Sequence, residues 1–184
     1  MSLIGNNNEE KIWNFLYSKI GNKFGVAGLM GNLYAESGLR PNNLEDQYNT
    51  KFNMDDTTYT NWTDNGKYSG FVHDSAGYGL AQWTFWTRKQ DLLAYAKSIN
   101  ASVGDLEMQL NFLVKEISEK YKEVWNGLKV TKTVRDATVL VLEKYEALGS
   151  MGEAIKTTRT GYAQTFYDRY SGAKEQQTVA ANEK

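Results

Sequence analysis

The stretch Gly28–Pro41, GLMGNLYAESGLRP, decides how the rest of the chain reads. Val26, Gly28, Leu29 and Leu33 recur at the three- and four-residue intervals of a buried stripe, so Lys23–Glu36 reads as a helix. Glu36 falls in its last turn. Ser37-Gly38 then supplies a stop, with Gly38 suited to a left-handed C-cap, and Pro41 keeps the helix from resuming. Glu36 is therefore expected as a carboxylate at the negative end of a helix dipole, beside Tyr34, Ala35 and Leu39. Apolar surroundings and that dipole both favour a protonated acid. An acid that keeps its proton near neutral pH is what the leaving oxygen of a breaking glycosidic bond needs. A surface glutamate at a helix end fits the same pattern, and this stretch by itself does not choose between the two.

Upstream, Asn8–Ile20 reads as a helix capped by Asn8, with Glu9 and Glu10 in its first turn and Ile12, Phe15, Leu16 and Ile20 on one face. Downstream, from Asn42 to Gly77, apolar periodicity is lost. Thr57–Trp62 (TTYTNW) and Gly70–His73 (GFVH) read as short strands, and Asp64-Asn65-Gly66 as the turn between them. The expectation is a small polar β-hairpin lobe, where a binding lip would sit. In Gly77–Trp86 (GYGLAQWTFW) two glycines allow a sharp turn or close approach to a ligand, with aromatics behind them as a wall. Amphipathic patterns over Thr87–Ile99, Val103–Lys122, Thr133–Tyr145 and Ala154–Tyr170 complete the helices. The fold class expected is α+β, mainly α: one domain over residues 1–172, helical with a small inserted β-hairpin lobe. The polar, aperiodic segment 173–184 reads as a disordered tail.

Composition narrows the function. With 21 Lys+Arg against 22 Asp+Glu, the chain makes no electrostatic case for nucleic acid or an anionic membrane. It has 0 Cys and a single histidine, His73, which excludes disulfides, cysteine metal sites and multi-histidine metal sites. No metal or organic cofactor is expected. No apolar run reaches the roughly 20 residues of a membrane span, and the opening MSLIGNNNEEK lacks the apolar region of a signal peptide. A larger parent protein stays open. The 5 Trp and 12 Tyr suit either a core or a surface that stacks carbohydrate.

The segments NLYAESGLRP and GYGLAQWT, followed by Arg88, resemble the phage tail lysozyme family of the wider lysozyme-like superfamily. Lys144-Tyr145-Glu146 followed by Arg159, Ala163 and Tyr167 extends the likeness, which spans residues 8–170. The resemblance implies a lysozyme-like domain that hydrolyses the β-1,4 bond between N-acetylmuramic acid and N-acetylglucosamine in bacterial peptidoglycan. On it, Glu36 matches the general acid, and Gly79-Leu80-Ala81-Gln82 the segment lining the sugar cleft. Asp74 is the candidate second carboxylate. Hen-type lysozymes carry an Asp directly before the Tyr-Gly, where this chain has Gly77, and goose-type lysozymes and lytic transglycosylases dispense with a hairpin nucleophile. Asp46, Asp55, Asp56 and Asp64 read as turn residues. His73 is placed against substrate or Asp74; Tyr78, Gln82 and Trp83 are candidate sugar contacts; Tyr145, with Glu146, reaches toward the cleft from the third late helix. Trp86 reads as core. The partners implied are the glycan strands of the cell wall and other phage tail or wall-binding modules, with action in the wall from a virion tail or after release through a holin. Two other readings stand beside it: a lytic transglycosylase leaving 1,6-anhydro ends, and a non-catalytic sugar-binding or tail-assembly domain.

Overall fold

Local caps set most of the helix boundaries in the computed structural model, which describes residues 2–146 and 152–172. Asn7, one position before the expected cap, accepts from the Glu10 backbone N–H and opens α1 (Asn8–Ile20); Gly21, at φ 71, closes it. The second helix, α2, covers Lys23–Ser37, and Gly38 follows in the left-handed region at φ 60. Then come α3 (Asp46–Phe52), α4 (Asp56–Asp64), α5 (Trp86–Ser98), α6 (Leu106–Lys120), α7 (Lys122–Val130), α8 (Val134–Lys144) and α9 (Glu153–Tyr170). No helix among the described residues is long and apolar enough to cross a membrane. The expected tail, 173–184, lies outside the described residues.

The expected β-hairpin lobe is not there. TTYTNW lies inside α4, because Asp55 accepts from the Thr58 N–H at the helix start and Thr60 Oγ1 donates to the Asp56 carbonyl. Asn65-Gly66 ends that helix instead of turning a hairpin: Asn65 is its C-cap and Gly66 follows at φ 78. Gly70–His73 is a turn, with the His73 N–H donating to the Gly70 carbonyl. Extended pairing among the described residues is confined to the isolated bridges Leu44–Tyr78 and Tyr78–Trp83. The single helix expected over Val103–Lys122 breaks at Tyr121 (φ −123, ψ 53), and α7 follows it.

The chain forms two compact units, one of Leu3–Ala35 with the described part of Glu116–Lys184, the other of Glu36–Lys115. In the first, α2 is buried on every side from Gly25 to Leu33 rather than along one stripe. Its glycines explain this. A Cβ on Gly25 would stand 2.0 Å from the Leu128 carbonyl oxygen, on Gly28 2.5 Å from the Ala137 Cβ, and on Gly31 2.6 Å from the Ala163 Cβ. Glycine at every third position thus lets α7, α8 and α9 approach α2 at backbone distance. The buried Asn32 amide ties this bundle, donating to the Gly28 and Thr138 carbonyls and accepting from Arg159. Lys23 Nζ donates to the Ser171 carbonyl just past the end of α9, where positive charge meets the negative helix end.

In the second unit, Gln109 of α6 organises the loops. Its Oε1 accepts from the Leu80 N–H, and its Nε2 donates to the Pro41 and Val103 carbonyls. Trp83 is fully buried edge-on against Phe112 of α6. Tyr78 is equally buried, its hydroxyl 2.6 Å from Thr60 Oγ1.

Candidate active site

A helix that stops at Gly38 leaves its last side chains at the start of a loop, and in the second unit that loop forms one wall of a cleft. The cleft has a volume of about 460 Å³ and is lined by Glu36, Ser37, Gly38, Arg40, Asn43, Glu45, Asp46, Gln47 and Gln82. The expected apolar neighbours of Glu36 are only partly so: Leu39 is buried, while Tyr34 and Ala35 are exposed and Glu36 itself is half-buried. Its neighbour Ser37 is buried and donates to the Leu80 carbonyl, which anchors the end of α2 to the Gly79–Gln82 segment.

Gln82 enters the cleft from that segment. Its backbone sits at φ 47, a left-handed conformation that costs a non-glycine residue about 1–2 kcal/mol, the kind of strain that gathers at functional sites. Both hydrogens of its amide are engaged, by the Asn43 and Gly79 carbonyls at 3.0 Å each. The side-chain oxygen is therefore the group with which Gln82 can accept from a ligand N–H or O–H. Gly77 stands directly behind it. A Cβ there would lie 2.7 Å from Gln82 Oε1 and 3.2 Å from Glu45 Oε2, so only glycine fits beneath these two side chains without displacing them.

The cleft holds two further carboxylates. Glu45 Oε2 accepts from the Gly77 N–H at 3.0 Å, its Oε1 accepts from Gln47, and its own N–H donates to the Gly77 carbonyl. Asp46 opens α3. The cation in the wall, Arg40, is bound to Asp56 at 3.0 Å and to Asn43. The acids read from sequence as turn residues do structural work: Asp55 caps α4, Asp56 also accepts from the Leu44 N–H, and Asp64 accepts from Ser102 and the Val103 N–H.

Asp74 is elsewhere in the unit. Its side chain is 5% exposed and ion-paired at 2.7 Å with Lys89, whose side chain is fully buried. Tyr59 and Tyr68 hydroxyls donate to Asp74 Oδ2, and the Ala76 N–H donates to Oδ1. Lys89 Nζ also donates to the Ala76 carbonyl and lies 4.4 Å from the Phe71 ring centre. Burial holds the Lys89 ammonium below its ordinary range despite the attraction of Asp74. Burial and the same carboxylate push the Tyr59 and Tyr68 hydroxyls far above theirs. Such a pair is sealed on all sides and shaped to hold the chain at Ala76.

Of the remaining sequence candidates, His73 is exposed with its ring 5.8 Å from Trp86. Trp86, expected in the core, is exposed at the start of α5. Tyr78 and Trp83 are wholly buried and support the cleft segment from behind. Tyr145 belongs to the first unit, where it is buried and its hydroxyl donates to Glu116 at 2.7 Å. The structure thus brings Glu36 and Gln82 to one cleft, and Tyr78, Trp83 and Asp74 to the packing of the unit that carries it.

Two partners escaped the sequence reading. Glu45 sits in a segment without periodicity. Lys89 had a signal: with Leu92 and Ala96 it occupies the buried positions of α5, on the spacing of an apolar face. No set of three or more potential metal-ligating side chains gathers among the described residues. A family model described as phage tail lysozyme matches residues 7–170. A search of curated proteins finds no significant match.

Proposed function

The chain belongs to the phage tail lysozyme family, whose members degrade peptidoglycan, and on that basis we propose that it is a muramidase with Glu36 as its general acid. The observation that carries this reading is the shared cleft: Glu36 and Gln82, from segments 46 positions apart, line one polar crevice. Glu36 protonates the glycosidic oxygen between N-acetylmuramic acid and N-acetylglucosamine as positive charge develops on the sugar ring. Gln82 accepts a hydrogen bond from an acetamido N–H or a hydroxyl and fixes the sugar beside the acid. Activation of the attacking water falls to Glu45 or Asp46, the other carboxylates of the cleft. Asp74 takes no part in the chemistry; it and Lys89 hold Ala76, and through it Gly77 and the Gln82 segment. Tyr78 and Trp83 act as supports rather than sugar contacts. The substrate is the glycan strand of the bacterial wall, reached from a phage tail or a lysis protein.

The sealing of Asp74 also favours a second reading, lytic transglycosylation, in which Glu36 first gives a proton and then takes one from the sugar's own 6-hydroxyl. Mass spectrometry of purified peptidoglycan digests separates the two. Hydrolysis yields reducing ends heavier by one water than the 1,6-anhydro ends of transglycosylation. Glu36→Gln lowers the yield of either product by about 10²–10⁴-fold. Undiminished release by that variant removes Glu36 from the mechanism, and absence of any product from the wild type returns the chain to a binding role.

A further inference from the structure

Apolar side chains left in water at the edge of a site deserve a reason when they stand together, since single ones are ordinary. In the Glu36–Lys115 unit the exposed large apolar residues among those described are Phe85, Trp86 and Ile99. Ile99 stands alone at the end of α5. Phe85 and Trp86 are adjacent, 62% and 46% exposed, with ring centres 6.3 Å apart, and the exposed His73 ring follows 5.8 Å beyond Trp86. Three rings thus form one open shelf. Of the unit's other aromatics, Tyr59, Phe71, Tyr78, Trp83 and Phe112 are buried and Tyr48, Phe52, Trp62, Tyr68 and Tyr95 half-buried, so Phe85 and Trp86 are the most open of the set.

The shelf is continuous with the cleft. The side chains of Gln82 and Thr84 converge with Glu45 around Gly77, where a Cβ would meet all three within 3.3 Å, and Thr84 Oγ1 donates to the Gln82 carbonyl. Phe85 is the next residue. The backbone that carries Gln82 in the cleft thus leads within three residues to the first ring.

From this we propose that Phe85, Trp86 and His73 form a sugar-stacking shelf that holds the peptidoglycan glycan strand beyond the bond-breaking cleft. The inference rests on the muramidase reading for its occupant. A glycan is a polymer of rings with apolar C–H faces and hydroxyl rims, so aromatic faces can stack on the former while the His73 imidazole meets the latter.

The test uses glycan strands freed of peptide by an amidase and separated by length. Phe85→Ala/Trp86→Ala removes two ring faces and raises KM on long strands about five- to tenfold or more, with kcat within about twofold of wild type. The penalty shrinks as strands shorten below the span of cleft plus shelf. Phe85→Tyr/Trp86→Tyr, which keeps both faces, restores most of the affinity. A KM that does not change, or that rises equally for every length, overturns the proposal; so does a penalty confined to strands that still carry peptide. Calorimetric binding of the same strands to Glu36→Gln, with and without the two alanines, separates this inference from the one beneath it. If the wild type cleaves nothing yet binding still needs the rings, the muramidase reading fails and the shelf stands. If cleavage proceeds and the rings do not matter, the shelf alone fails.

Discussion

Glu36 and Asp74 are both acids of the same compact unit, and their surroundings could hardly differ more. Glu36 ends a helix at the rim of a polar cleft, half open to solvent and beside other carboxylates. Asp74 is closed off by Lys89, two tyrosine hydroxyls and a backbone N–H. A carboxylate that must exchange a proton with a substrate needs access; one that fastens a loop needs all its lone pairs filled. The contrast teaches that the position of an acid in sequence, close to a glycine turn in both cases, says little about which of these tasks it performs.

The largest effect sharpens the contrast from the cleft side. If Glu36 is the general acid proposed above, Glu36→Gln keeps the shape and lowers activity by about 10²–10⁴-fold while the thermal midpoint stays within a few degrees of wild type. Loss of stability in step with activity would break the comparison. Asp74→Asn does the reverse. It strands the buried Lys89 charge and costs about 3–5 kcal/mol of unfolding free energy, read by denaturant titration. Adding Lys89→Met recovers part of that loss, because the unpaired charge is gone. Activity per folded molecule at low temperature survives in both variants.

Raising the pH probes the sealed region together with Tyr78 and Tyr170, whose hydroxyls burial also pushes up. The Tyr59 hydroxyl is held far above its ordinary value by burial and by Asp74. Above about pH 10 the unfolded chain releases that proton while the folded chain keeps it. The unfolded state then binds fewer protons, and stability falls as pH rises, by about 1.4 kcal/mol per unit for one such group. Lys89, shifted downward by burial, acts in the opposite sense, and only below its unfolded value of about 10.4, where the unfolded chain still holds the proton that the fold disfavours. Tyr59→Phe lowers stability at neutral pH by the loss of its hydrogen bond but makes the alkaline slope shallower by one group's share, with Tyr68, Tyr78 and Tyr170 supplying the rest; an unchanged slope would show that this hydroxyl contributes none of it. The smallest effect returns to the cleft. Gly77→Ala presses a methyl group on the movable ends of Gln82 and Glu45, so KM rises about three- to tenfold, equivalent to about 1 kcal/mol, with little change in the unfolding midpoint.

How much of this was legible depended on how far each feature reaches along the chain. The ends of α1, α2, α5, α8 and α9 fall within a residue or two of the positions expected, because caps such as Asn7 and Thr133 and the stop at Gly38 act within three or four residues. The segment TTYTNW misled because β-branched and aromatic residues favour strands, while one bond from Asp55 started a helix there instead. The break at Tyr121 carries no proline or glycine to announce it.

The sequence by itself determined the run of helices, the stop after Glu36 and the absence of thiol or multi-histidine chemistry, since these follow from local hydrogen bonding and from which residue types exist at all. Tertiary structure alone decided that Asp74 is sealed by partners 6 and 15 positions away, that Lys89 is its ion-pair partner, that Glu45 shares a cleft with Glu36, and that Phe85 and Trp86 face water. A side chain's partners depend on what packs across from it, and spacing within a single helix or loop does not name them.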